Sequence, residues 1–204
     1  MTSPAPAAPG VIHAFDPSRR TNAQLMVDCR ALGYLTEPVL DLTYGKGRFW
    51  TLLPDLDVVG NDLDPTKGTV HHDFTATPWP TGSWSTVVLD PPYRLGGTPT
   101  TPDFDDAYGL TARSATEVRD LIVAGTCEAC RLAHHPVIVK IQDHTSSGVL
   151  QPLSTWVINA ATLAGARLVD SLHVVGGRAQ PSGRRQQRAR HGYSTALVFT
   201  PRRR

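Results

Sequence analysis

The sequence predicts an α/β domain built on a mostly parallel sheet. Short apolar runs bounded by Gly, Pro and Asp recur along the chain and read as buried strands. Segments with apolar residues at helical spacing lie between several of them, the pattern of a parallel sheet with crossover helices. The last two strand-like segments have no helix between them. They should therefore pair antiparallel, as a hairpin with a long tip.

Each element follows from its own residues. The start, "MTSPAPAAPG", has neither a basic beginning nor an apolar run, so it is no secretory signal. Residues 1–20 read as a flexible tail. "TNAQLMVDCRALGYL" (21–35) has helical spacing, with Thr21 or Asn22 as its cap. "PVLDL" (38–42), "DLDVVGND" (55–62), "TVHHDF" (69–74) and "WSTVVLD" (84–90) are the first four strands expected. The polar stretch from Arg94 to Thr111 is rich in Gly, Pro, Thr and Asp and reads as a loop. "SATEVRDLIVAGTCEACRLAHH" (114–135) is the strongest helix, opened by a Ser114/Glu117 capping box. "PVIVKIQD" (136–143) is a fifth strand, and "LSTWVINAATLAGA" (153–166) is a helix that stops at Gly165. "RLVDSLHVV" (167–175) and "YSTALVFT" (193–200) close the chain as strands six and seven.

A chain of 204 residues is long enough for one domain with a sizeable core, here spanning residues 21–200 with a basic end at 201–204. No stretch approaches the roughly 18 consecutive apolar residues of a membrane span. The three cysteines, an odd and small number, argue against a disulfide scaffold and point to a reducing, cytoplasmic setting. The net charge of +2 conceals an asymmetry. Eight of the 20 basic residues are arginines between Arg178 and Arg204, a span without an acid. The 177 residues before it carry 12 basic and 18 acidic groups, a balance of −6. A basic end on an acidic body suits a polyanionic partner. Arg184, Arg185, Arg188 and Arg190 are the candidates for nucleic-acid contact, whereas Arg202, Arg203 and Arg204 read as a solvated tail.

Ligands of parallel α/β sheets sit beyond the carboxyl ends of the strands, and the polar signatures of this chain fall there. Asp41 ends the first strand and is followed by Thr43, Tyr44, Gly45 and Gly47 in a turn where the backbone can approach a ligand closely. Asp62 ends the second strand, 21 residues after Asp41, at the position of a ribose-binding acid. Asp73 and Phe74 end the third and would offer an acceptor and an apolar wall to an adenine ring. "GKGRFW" lacks the third glycine of the dinucleotide fingerprint, and no G-x-x-x-x-G-K-[ST] loop is present. The pattern points to an adenosine-type cofactor with little phosphate.

The fourth strand ends in Asp90-Pro91-Pro92-Tyr93. With "VLDLTYGKG" and "VVGNDLDP" before it, this segment resembles motif IV of the class I S-adenosylmethionine-dependent amino methyltransferases. "VLDLTYGKG" is similar to their motif I and "VVGNDLDP" to their motif II. The tail "QPSGRRQQRARHGYSTALVF" and the stretch "TTPDFDDAYGL" are similar to small DNA-methylase-like proteins of phages and actinobacteria. The resemblance spans nearly the whole chain and implies a Rossmann-like methyltransferase fold with seven strands, the last antiparallel. Motif I departs from the commoner D-P-F-x-G-x-G by having Leu42-Thr43-Tyr44, in which Tyr44 can still supply the ring.

The resemblance also implies the chemistry. An exocyclic amine on a base is a poor nucleophile because its lone pair is delocalised into the ring. The Asp90 carboxylate and the Pro91 carbonyl, both accepting from that amine, would favour a pyramidal nitrogen that attacks the sulfonium methyl directly. Pro91 and Pro92 restrict φ and so hold the carbonyl in place. Tyr93 would stack on a base flipped from a duplex or taken from a single strand. Adenine N6 in DNA leads, with cytosine N4 and a base amine in RNA as alternatives. A catalytically silent methyltransferase fold that only binds nucleic acid is the reading from another class. Target recognition would fall to the 94–111 loop and the 176–192 tip, or to a partner. The remaining chemistry-bearing residues count for less. Cys127-x-x-Cys130 with His134 and His135 lies inside an amphipathic helix and reads as core rather than as metal ligands. His71 and His72 receive no role. Lys140, Gln142 and Asp143 end the fifth strand at the same sheet edge, as cleft or structural residues. Trp50 and Trp156 read as core.

Overall fold

The computed structural model describes residues 10–92, 114–146, 148–176, 188–189 and 191–202. Tyr93, the 94–111 loop, Arg184, Arg185 and Arg190 lie outside the described residues. Helix α1 (Asn22–Ala31) starts on a capping box: Thr21 Oγ1 accepts the Gln24 N–H, and Gln24 Oε1 accepts the Thr21 N–H. It stops at Gly33, whose φ of 79° lets the N–H groups of Gly33 and Tyr34 fold back onto the carbonyls of Arg30 and Cys29.

Strands β1 (Val39–Asp41), β2 (Val58–Gly60) and β3 (Thr86–Leu89) follow, then α2 (Ala115–Leu132) and β4 (Val137–Ile141). A small hairpin of β5 (His144–Ser146) and β6 (Val149–Gln151) leads into α3 (Leu153–Leu163), and β7 (Ala166–Val175) and β8 (Tyr193–Pro201) complete the order. The sheet runs β2-β1-β3-β4-β8-β7, with β1 parallel to β2 and β3, and β3 parallel to β4. The last strand is antiparallel to both neighbours and lies inside the sheet between β4 and β7.

Two expectations are corrected. The strand expected over 69–74 contributes a single parallel bridge, Asn61 to Val70, so the main sheet has six strands among the described residues. Gly68 explains the shortfall: it turns the chain at φ 66° directly against the Gly60 carbonyl, and little extended length remains. The N-terminal segment is part of the fold from residue 12, where Ile12 packs against the α1-side core. Phe15 bridges to His173, and the Arg19 guanidinium, 2% exposed, donates to the carbonyls of His13, Ala14 and His173 and to the Asp28 carboxylate. A buried guanidinium needs that full set of acceptors, and the segment supplies two of them.

The core lies on both faces of the sheet, and the two-residue period of the strands assigns each side chain. Leu40, Val87, Leu89, Val137, Val139 and Ile141 pack beneath α2 and α3. Val39, Val88, Ile138, Ala196 and Val198 pack against α1, Phe49 and Trp50. Helix α2, opened by the Ser114/Glu117 capping box, buries Val118, Ile122, Ala129 and Leu132. Gly125 of α2 leaves a notch that the Phe74 ring fills.

Candidate functional site

The four strands β1 to β4 run in one direction, so their carboxyl ends deliver Asp41, Asn61, Asp62, Asp90 and Lys140 to one edge. Alternation then selects the face. Val39, Val88 and Ile138 belong to the α1-side core, and two residues further along stand Asp41, Asp90 and Lys140. Three apolar positions are thus capped by three ionisable side chains. Register decides which charges meet: Val88 lies beside Ile138, so Asp90 comes level with Lys140. Lys140 Nζ stands 3.3 and 3.4 Å from the two Asp90 oxygens, and 5.9 Å from the centre of the Phe49 ring. Burial raises the Asp90 pKa, and the ammonium opposes that rise without cancelling it.

Asp41 is turned inward. It is 3% exposed; its Oδ1 accepts the Thr43 N–H and its Oδ2 accepts the Trp50 indole N–H at 2.8 Å. Burial pushes its pKa up to about 7 against those two hydrogen bonds, and the nearby charges of Asp90 and Asp62 add to the rise. Asp41 therefore shapes the glycine-rich turn from below. Thr43 ties that turn to the next strand, because its hydroxyl accepts the Asp90 N–H at 2.8 Å.

Asp62 holds the turn from the other side, with Oδ2 accepting the Gly45 N–H and Oδ1 the Asp64 N–H. A carboxylate offers about four acceptor positions, so capacity remains on both oxygens. Gly45 has φ 56°, and a Cβ there would find nothing nearer than the Thr43 carbonyl oxygen at 3.9 Å. The space over Gly45 is open and flanked by a carboxylate, a cradle that fits a ribose diol. Gly47 has another task. A Cβ on it would stand 2.7 Å from the Tyr44 hydroxyl oxygen, so Gly47 and Gly60 together make room for the Tyr44 ring.

The third-strand candidates divide. Asp73 is exposed, and its Oδ1 accepts the Thr75 N–H and hydroxyl. Phe74 is 8% exposed with its ring against Gly125 and near Leu89, so it is a core residue in this arrangement. Pro91 is buried and Pro92 half-buried beside Asp90. Cys127 and Cys130 lie in α2, and burial pushes the Cys130 thiol up to about 12.

Asn61 escaped the sequence reading. It is 1% exposed, donates to the carbonyls of Leu42 and His72, and accepts the His72 N–H. One amide thus joins the ends of β1 and β2 to the segment after Gly68. No sequence signal distinguishes such an asparagine from one in a turn. Beyond β4 the edge continues through Gln142, whose Nε2 donates to the His191 carbonyl, to the ends of β7 and β8. Ile141 pairs with Thr195, so the 176–192 connection leaves and returns at the edge that carries Asp90. Arg188 within it is exposed.

No protein-family model matches the chain, and no curated protein matches it. Solved structures do. A Thermoplasma acidophilum protein superposes with a TM-score of 0.56 at 11% identity, over 88% of each chain. The magnesium protoporphyrin IX methyltransferase of Synechocystis, with bound S-adenosylmethionine, gives 0.52 at 14% identity over 89% of this chain and 78% of that one. A Pyrococcus horikoshii protein proposed to be an RNA methyltransferase gives 0.52 at 13%, over 88% and 82%. The chain also spans about half, 47%, of a longer Thermus thermophilus protein proposed to be a DNA modification methylase, with 61% of its own length matched at 14% identity and a TM-score of 0.40. At these identities the likeness is one of architecture, and the parallel strands with an inserted antiparallel last strand give this chain the Rossmann-like fold of S-adenosylmethionine-dependent methyltransferases.

Proposed function

We propose that the protein transfers a methyl group from S-adenosylmethionine to an exocyclic amine of a nucleic-acid base, with adenine N6 in DNA as the leading target. One observation carries the reading. Asp90-Pro91-Pro92 leaves β3 directly beside the glycine-rich turn of β1, and the Thr43–Asp90 hydrogen bond ties the two together. A methyl-donor cradle and a pair of amine acceptors then share one sheet edge.

S-adenosylmethionine, when bound, supplies an electrophilic methyl group. The rest belongs to the chain. Asp62 would take the ribose hydroxyls, and Gly45 leaves the room they need. The Asp90 carboxylate and the Pro91 carbonyl would accept the two amine hydrogens and orient the nitrogen lone pair towards the donor. Tyr93, next in sequence, would stack on the base. The arginines of the 176–192 connection would hold the phosphate backbone near the same edge. The fold alone does not choose the substrate, since a porphyrin methyltransferase shares it. The choice rests on the Asp90 segment and the basic connection.

The test is incubation with labelled S-adenosylmethionine and DNA or RNA, followed by digestion to nucleosides. Label in N6-methyldeoxyadenosine supports the leading reading. Label in N4-methyldeoxycytidine or in an RNA nucleoside moves the target but keeps the chemistry. Nucleic-acid binding without incorporation would leave the silent-binder reading standing.

A further inference from the structure

We propose that Lys140 is a positioning residue for Asp90, holding its carboxylate ionised and aimed so that it can accept from the target amine. This rests on the amine-methylation reading above. The geometry is specific. Lys140 sits on β4 level with Asp90, is 5% exposed, and reaches both carboxylate oxygens at 3.3 and 3.4 Å. Two residues earlier on the same face, Ile138 is fully buried, as the pattern of a central parallel strand requires. A lysine at the next inward position is costly to bury without a partner.

The chemistry explains why such a partner is needed. Asp90 can accept an amine hydrogen through either oxygen when ionised but only through its carbonyl oxygen when neutral, and the ionised form is the stronger acceptor. Asp90 lies at a site whose burial favours the neutral form, and a second carboxylate, Asp41, lies on the same face one strand away. No other cation faces it from the packed elements described. β8 sets Ala196 opposite Lys140, α1 contributes Leu25, Met26 and Cys29 to this side, and the turn after β1 contributes Thr43 and the Phe49 ring. Lys46 and Arg48 of that turn are exposed. Lys140 is thus the charge that offsets the desolvation of Asp90. Two weak contacts, one to each oxygen, also centre the carboxylate without occupying all its acceptor positions.

The test titrates the carboxyl carbon resonances by NMR in the wild type, Lys140→Met and Lys140→Arg, with Asp90→Asn and Asp41→Asn used for assignment. Removing the ammonium should raise the Asp90 midpoint by at least one pH unit, and arginine should restore it. Turnover should follow: in Lys140→Met the acid limb of the kcat profile should move to higher pH by the same interval as the Asp90 midpoint, with kcat recovering at high pH and S-adenosylmethionine bound within twofold of wild type. If Lys140→Met does not fold, Lys140→Gln carries the same comparison. An unmoved Asp90 midpoint, or a loss of kcat that is the same at every pH, overturns the proposal and makes Lys140 a structural residue. A wild type that methylates no nucleic acid overturns the amine reading instead, and the titration still judges the Lys140–Asp90 coupling.

Discussion

The two halves of the sheet are built on different principles. On one side, β1, β2 and β3 are strands of three or four residues, and side chains tie their ends together. Asp41 reaches Trp50, Asn61 reaches Leu42 and His72, Asp62 reaches Gly45, and Thr43 reaches Asp90. On the other side, β7 and β8 run for ten and nine residues and pair along nearly their full length, with one irregularity between Leu168 and Asp170. The backbone ladder does there what side chains do in the first half. A short parallel strand has too few ladder bonds to fix its own end, so every polar residue at that end becomes part of the architecture. A long antiparallel pair fixes itself and leaves its connection free to vary in length and charge. The first half suits precise placement of small groups, the second the presentation of an arginine-rich segment.

The sharpest way to break this contrast is Asp90→Ala. Methyl transfer should fall on the order of a thousandfold or more while cofactor binding stays nearly intact. Retained turnover in a radiometric assay would remove Asp90 from the chemistry. Asp62→Ala should come next, weakening S-adenosylmethionine binding by roughly 10- to 100-fold, because two backbone N–H groups and the ribose diol would lose one acceptor together. Calorimetry that gives equal affinities would return Asp62 to a purely structural part in the turn.

A smaller effect is expected in the other half. Replacing Arg184, Arg185 and Arg188 with alanine should weaken nucleic-acid binding by roughly tenfold and reduce the slope of log affinity against log salt by about 3 at most. Thermal stability should barely move, since the β7–β8 ladder does not depend on its tip. A large drop in stability would contradict the division drawn between the halves.

The last prediction concerns the stability contributed at Asp41 rather than binding or turnover. Its folded pKa of about 7 stands above the ordinary aspartate value of 3.8, so the folded state holds the proton more tightly than the unfolded chain. Stability should therefore fall as pH rises from about 4 to 7, the penalty being complete above 7. Asp41→Asn should flatten that dependence while keeping an acceptor for Trp50. Melting curves that stay parallel between the two proteins across this range would show that Asp41 is ionised throughout.

Much of the fold was readable from local pattern. The cap at Thr21, the capping box at Ser114, the stop at Gly165 and the antiparallel final pair depend on residues a few positions apart, and the sequence contains those positions whole. The third strand misled because "TVHHDF" has strand-like residues, while Gly68 pressed against Gly60 leaves them only one bridge. Phe74, expected as a cofactor wall, has its ring in the notch at Gly125, about 50 residues later, a contact that no local pattern shows.

By itself the sequence determined the alternation of elements, the cluster of acids and glycines at strand ends, and the Asp90-Pro91-Pro92-Tyr93 segment, since all are matters of order along the chain. Tertiary structure alone decided how those residues divide their labour. Asp41 turned inward to Trp50, Asp62 stayed beside an open space over Gly45, and Lys140 met Asp90 from a strand 50 positions away. The reason is register. A parallel sheet brings side chains level according to hydrogen bonds between strands distant in sequence, and a shift of one residue would have turned Lys140 to the opposite face.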